Sequence, residues 1–238
     1  MIKDFAQEVY NKIKDKSVKG ELNLIGIRNT SKLKDIIHYS DLLGYCKIDS
    51  EFEPSGNKNT RFDVFLSLGT TTPSKYWLVD KFSSGNKKGT AILKEGFYKD
   101  CFKLGYHKGN KDNPALVQNI DLPVYRDKNK DNYLDLDENT IDTGKFGINY
   151  HKGSNVLSRV IGAYSAGCQV QAKSDFYKNY VLEEARKYEK KGQKEFNYNL
   201  FSLDLLDMLD LKGDFEYIME FKPAFRGSEK TNIRLTLI

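Results

Sequence analysis

A single α+β domain in which strands predominate is predicted for this chain, on three observations. Short apolar segments alternate with polar residues in many places, whereas helical periodicity is clear in only two stretches. Aromatic residues reach 13%, with fifteen Tyr and fourteen Phe, and such side chains suit a pleated, half-buried surface. Turn-forming clusters such as Glu53-Pro-Ser-Gly-Asn-Lys-Asn-Thr60 punctuate the segments at close intervals.

Taken in order, residues 2–16 fit a helix, with Phe5, Val9, Tyr10 and Ile13 in one stripe and Gly20 closing the segment. Leu22, Leu24 and Ile27 suggest a first strand over 21–28, although the alternation is imperfect. Residues 31–45 read either as a short helix or as a strand-bearing excursion. Strands are expected at 61–68, 76–79, 90–93, 96–102, 122–125 and 196–206, and a second helix at 175–191. The domain division is an N-terminal helix at 1–20, a main domain at 21–206, and an extension at 207–238 packed on the same domain. That extension carries two further strands around Lys222-Pro223.

At 238 residues the chain can bury a substantial core, and 39% hydrophobic with 30% charged residues is a globular balance. The net charge of +5 is mild, and no basic cluster interleaved with aromatics appears, so nucleic acid is not expected as a partner. No apolar run reaches membrane-spanning length, so no membrane span is expected. Cys46, Cys101 and Cys168 are odd in number and lack the C-x-x-C spacing of a zinc site or redox pair. The first residues, M-I-K-D-F-A-Q-E-V-Y, lack the apolar core of a signal peptide. Synthesis in the cytoplasm, followed by export or release through another route, is the expectation.

The stretch from Thr143 to Val170 carries the chemistry. Phe146, Ile148 and Tyr150 alternate with Gly147, Asn149 and His151, which predicts a strand with His151 on the face opposite the bulky residues. Seventeen positions beyond the histidine, Ser165-Ala166-Gly167-Cys168 places a thiol behind a glycine. An imidazole can serve as base to a thiol, and a sharp turn at glycine can aim backbone N–H groups at an oxyanion.

A histidine, a gap of this size and then Ser-x-Gly-Cys resembles the signature of the L,D-transpeptidase catalytic domain, in a divergent, phage-like branch. The resemblance implies a β-sandwich catalytic domain with a few flanking helices, acting on peptidoglycan stem peptides through a thioester. It makes Cys168 the nucleophile, His151 its base, and Ser165 with Gly167 the shapers of the oxyanion pocket. The short signature spans 151–170, within surroundings from about Leu22 to Leu206. The chain departs from it at Ala166, where the family usually has a second histidine, and at Val170, where it has Arg or Asn. The outcome is either hydrolysis or a new cross-link. Lacking an export signal, the chain fits wall degradation or remodelling, as in phage lysis, better than housekeeping cross-linking. The competing readings are a non-catalytic wall- or calcium-binding module, or a cysteine peptidase or amidase with another substrate.

His107, in G-Y-H-K-G, reads as a polar loop residue or as a pocket residue replacing the missing second histidine, and is left outside the catalytic set. His38 is expected to be structural, and Cys46 and Cys101 to be unactivated thiols. Asp127, Asn129, Asp131, Asp135 and Glu138 fall at positions 1, 3, 5, 9 and 12 of an EF-hand-type loop, with the Tyr133 carbonyl at position 7. Asn132 replaces the usual glycine. The loop is either a structural calcium clip or a solvated acidic hairpin tip, and no organic cofactor is expected.

Overall fold

The computed structural model describes residues 2–33, 36–52, 58–79, 88–129, 131–154, 159–205, 217–221 and 231–237. The predicted mainly β class holds. Helix α1 (Ile2–Ile13) is followed by β1 (Leu22–Asn29), β2 (Asp41–Phe52) and β3 (Lys58–Thr70). Next come helix α2 (Lys75–Leu78), β4 (Thr90–Leu93), β5 (Gly96–Tyr106), β6 (Pro114–Gln118), β7 (Leu122–Asp127) and β8 (Asp142–Gly144). The two strands of the site are β9 (Tyr150–Lys152) and β10 (Gln169–Gln171). A continuous helical segment then runs through α3 (Ser174–Phe176), a π-helical turn (Tyr177–Leu182) and α4 (Glu183–Lys190), before β11 (Glu195–Leu203), β12 (Tyr217–Phe221) and β13 (Thr231–Leu237).

Eight strands close into a barrel. The order runs β10-β9-β6-β5-β11-β1-β2-β3, and β3 returns to β10 through Thr70↔Val170 and Gly69↔Gln171. This pairing is one hydrogen-bonded circuit and does not by itself delineate two stacked sheets. Beyond it, β13 runs parallel to β3 over Thr60–Leu66 and carries β12 at the sheet's edge. The extension thus joins the main sheet as the expected two strands, while Lys222 and Pro223 lie outside the described residues. A separate ribbon, β4-β7-β8, stands beside the barrel.

β1 is buried on both faces, which is why its alternation is imperfect in the sequence. Leu22 and Leu24 join the inner core with Tyr45, Phe102, Tyr150, Tyr198 and the helical residues Phe176, Tyr177, Val181 and Ala185. Ile25 and Ile27 join an outer core with Cys46, Phe62, Val64 and the α1 stripe Phe5, Val9, Tyr10 and Ile13. Tyr198 of β11 donates to Gln169 of β10 at 2.6 Å. Those strands are not neighbours, so the bond crosses the barrel interior.

Two local expectations are corrected and an open one is resolved. Residues 76–79 fall largely in α2, not a strand, because the segment turns as soon as β3 ends at the buried Thr70-Thr71-Thr72. Residues 145–149 are irregular, because Gly147 at φ +73 breaks the extended run. Of the two readings of residues 31–45, the strand-bearing one holds: after a 3-10 turn at Thr30–Lys32 the chain enters the long β2 at Asp41. Among the described residues no helix is long and apolar enough to cross a membrane.

The outer core makes α1 part of the domain's stability. Ile13 is fully buried. Ile13→Ala should therefore cost about 2–5 kcal/mol, and thermal melting should show it as a fall of roughly 4–20 °C.

Candidate active site

His151 is the central residue of β9, and the parallel β9–β10 register sets it opposite Val170. Tyr150, its neighbour, turns inward and donates to Gln171 at 2.6 Å, so His151 projects from the outer face. Cys168 precedes Val170 by two residues and shares that face, in a small cluster with Tyr39, Ile161 and Ala172. The parallel pairing therefore brings together two residues that the sequence separates.

A third residue joins them. His107 opens a 3-10 turn after β5 (His107–Gly109), and its ring lies 4.1 Å from that of His151 at an interplanar angle of 39°. The side-chain donor atoms of His107, His151 and Cys168 all lie within 4.8 Å of one another. The sequence leaves His107 open between a polar loop residue and a pocket residue. Its approach depends on β5–β6 pairing and the turn between them, which no local pattern signals.

The tautomer of His151 is set by the backbone. Its Nδ1 is 2.7 Å from the Lys152 carbonyl, which can only accept, so Nδ1 carries the proton and Nε2 presents a lone pair. That Nε2 is buried and makes no hydrogen bond. Asn149 fixes His107 in a similar way. Its Oδ1 accepts the Gln118 N–H at 3.0 Å, leaving its Nδ2 to donate to His107 Nδ1 at 3.2 Å. The Cys168 thiol points at the Gly147 carbonyl, 3.4 Å away.

Burial controls the charges. His151 is 2% exposed, and its pKa is pushed down to about 4, first by burial and then by the adjacent His107. His107 is lowered by burial and by Lys108. Burial raises Cys168, against the smaller opposing effects of the Asn149 N–H and Lys108. Near neutral pH the site holds a thiol and two neutral imidazoles. Cys168 and His151 are therefore not a preformed thiolate–imidazolium pair.

Ser165 and Gly167 shape the turn that presents Cys168. The Ser165 hydroxyl lies 2.8 Å from both the Thr72 and Cys168 carbonyls and accepts the Gly167 N–H at 3.3 Å. Its carbonyl accepts the Ser74 N–H at 3.0 Å. Gly167 sits at φ +118, and a Cβ there would stand 2.3 Å from the Ala91 carbonyl oxygen. Both residues are thus committed to the turn's geometry, and in this structure the Gly167 N–H faces Ser165. The Thr71–Ser74 segment is itself anchored by buried Asp41, which accepts from the Thr71 N–H and hydroxyl, each at 2.7 Å.

The strand carrying His151 is held by side chains as well as by pairing. Gln118 Oε1 accepts the Phe146 and Ile148 N–H groups, each at 3.0 Å, and its amide donates to the carbonyls of Ile120 and Gly144. The Tyr177 hydroxyl accepts the Leu116 N–H at 3.2 Å and donates to the Tyr150 carbonyl at 2.9 Å. A cavity of about 380 Å³ is not lined by Cys168. It lies by Lys152, between Pro114 and the π-helical turn at Tyr177, Lys178 and Leu182.

The acidic loop is only partly assembled. Asp127 accepts the Asp135 N–H at 3.1 Å, and Asn129 donates to Asp131 at 3.0 Å. Glu138 is taken elsewhere, with one oxygen on Lys94 and the other accepting from Tyr125 at 2.9 Å. Among the described residues, the one close group of three or more His, Cys, Asp or Glu donors is His107, His151 and Cys168. Calcium at this loop would be held by Asp127, Asn129, Asp131 and Asp135 without Glu138. His38 forms a bridge to Val160, and Cys46 and Cys101 are buried with raised pKa values.

Two outcomes follow from the electrostatics. The folded His151 value of about 4 lies below the ordinary 6.5, so its contribution is complete above pH 6.5 and is lost as pH falls to about 4. The loss should reach roughly 3 kcal/mol, and melting against pH should show it in the wild type but not in His151→Gln. Asp127 is raised to about 6 by burial, from an ordinary 3.8, so its contribution is complete below pH 3.8 and is lost as pH rises through 6. In chelator at pH 7.5, Asp127→Asn should melt at or above the wild type. A calcium-dependent rise seen only in the wild type would place the cation at the loop, whereas no rise would leave it an acidic hairpin.

No protein-family model matches the chain, and no curated protein or solved structure does so either.

Proposed function

We propose that this chain is a cysteine-dependent acyl-transfer enzyme acting on peptidoglycan stem peptides in the manner of L,D-transpeptidases. The observation that carries the reading is the nearness of Cys168 to His151, whose donor atoms lie within 4.8 Å, with the Lys152 carbonyl holding the tautomer that leaves a lone pair on Nε2. In the proposed reaction Nε2 takes the thiol proton as Cys168 Sγ attacks an amide carbonyl. The tetrahedral adduct collapses with cleavage of the C–N bond, and His151 returns the proton to the leaving amine. A thioester remains on Cys168. Water resolves it to a carboxylate, whereas an acceptor amine forms a new cross-link. The lowered His151 pKa keeps the base in its working form into mildly acidic conditions.

The β-sandwich of that family belongs to the same proposal, with opposed walls of the closed strand circuit as its two layers. So does a site of action at the wall, reached by export or release, in degradation or remodelling. A second reading, a non-catalytic wall- or calcium-binding module, is favoured by the burial of the thiol, which is 7% exposed. A cysteine peptidase or amidase would use the same chemistry on another peptide.

Purified muropeptides incubated with the wild type and with Cys168→Ala should be resolved by mass spectrometry. Loss of a terminal residue, or loss or gain of a cross-link, is expected with the wild type alone. Identical products from both proteins would overturn the acyl-transfer reading on this substrate.

A further inference from the structure

We propose that His107, His151 and Cys168 form a binding site for one soft divalent metal ion of the Zn²⁺ type, with a fourth position left to water. This inference stands apart from the acyl-transfer reading. It rests on three donors from three separate elements meeting within 4.8 Å, and on a buried His151 Nε2 that makes no hydrogen bond. A buried polar atom without a partner calls for an explanation, and an ion is one of the few that satisfy a lone pair in so small a space. Imidazole and thiolate are both zinc ligands, and three protein donors with a fourth position left to water is the pattern of open zinc sites.

The surroundings suit ligation. The Lys152 carbonyl on His151 Nδ1 is the outer contact that orients a metal-bound imidazole through its other nitrogen. His151 and Cys168 are fixed by the β9–β10 register, whereas His107 is only half-buried and sits on a turn. Donors on one zinc stand roughly 3.3–3.6 Å apart, given its usual bond lengths. Closing from within 4.8 Å needs a modest swing of His107 out of its stacked position. That swing gives up the 3.2 Å contact between His107 Nδ1 and Asn149 and frees Nδ1 as the ligand. On binding, the Cys168 S–H proton passes to solvent and the S–metal bond forms, with no change of oxidation state. Once bound, the ion occupies both the sulfur and the Nε2 lone pair, so it would silence any acyl chemistry at Cys168.

Full-length, metal-free protein under reducing conditions should be titrated with Co²⁺ as an optical probe, and Zn²⁺ affinity measured by competition with a chromophoric chelator. One equivalent of Co²⁺ should produce a thiolate-to-cobalt charge-transfer band, and Zn²⁺ should abolish it. Cys168→Ser should remove the band. Cys168→Ser and His107→Gln should each weaken Zn²⁺ by at least about 100-fold, beyond the 10–100-fold typical of outer contacts. His107→Gln alters a half-exposed turn residue, and an unchanged melting curve would separate lost ligation from misfolding. Zn²⁺ should also protect Cys168 from iodoacetamide, with buried Cys46 and Cys101 as internal controls. Absence of the charge-transfer band, or Zn²⁺ affinity unchanged in either variant, would overturn the proposal. A cobalt band together with no muropeptide turnover by the metal-free protein would sink the acyl-transfer reading on this substrate and leave this one standing, and turnover without the band would do the reverse.

Discussion

The barrel depends on how its weakest seam is closed. β6 and β9 share a single register pair, Leu116↔Tyr150, so ordinary ladder bonds cannot hold that wall. Side chains supply the missing bonds. The Tyr177 hydroxyl sits between the Leu116 N–H and the Tyr150 carbonyl, Asn149 takes the Gln118 N–H, and Gln118 takes the N–H groups of Phe146 and Ile148. Each is a buried or half-buried polar group with its partner in place, which in a low-dielectric interior rigidifies what it connects. His151 lies at the end of this seam. Its position is set less by its own strand, only three residues long, than by the glutamine, asparagine and tyrosine around it.

The same seam explains the character of the site. Because Asn149 faces both Gln118 and His107, the structural bond and the orientation of the second imidazole are one arrangement. Because the Lys152 carbonyl receives His151 Nδ1–H, the reactive lone pair lies on the buried side. Burial keeps His151 and Cys168 neutral, and the half-buried His107 is held neutral by its partial burial and by Lys108, with the two rings 4.1 Å apart. A neutral base beside a neutral thiol can accept a proton or a metal ion, but not both. The proposed acyl transfer and the proposed metal site would therefore compete for Cys168 and His151.

The acidic loop shows how residue order differs from assembly. The spacing of Asp127, Asn129, Asp131, Asp135 and Glu138 is that of a calcium loop, yet Glu138 is bound to Lys94 and Tyr125. Tyr125 lies on β7 and Lys94 directly follows β4, and β4–β7 pairing brings them together. Asp127 and Asp131 instead accept the backbone N–H groups of Asp135 and Tyr133, as short acidic side chains do in tight turns.

Local patterns in the sequence determined much of the secondary structure. The α1 stripe, the strands at 90–93, 96–106 and 195–203, the helix at 174–190 and the two C-terminal strands follow from periodicity and turn residues, because those signals act over a few neighbours. The alternation at 146–151 misled, since Gly147 adopts a left-handed conformation and Gln118, from another strand, replaces the ladder. For the site, the sequence singled out His151, Ser165, Gly167 and Cys168. Only the tertiary structure decided that β9 and β10 run parallel, that His107 stacks on His151, and that Lys152 fixes the tautomer. The physical reason is sequence distance: strand register and barrel closure arise from contacts across the whole chain, and no neighbouring residue encodes them.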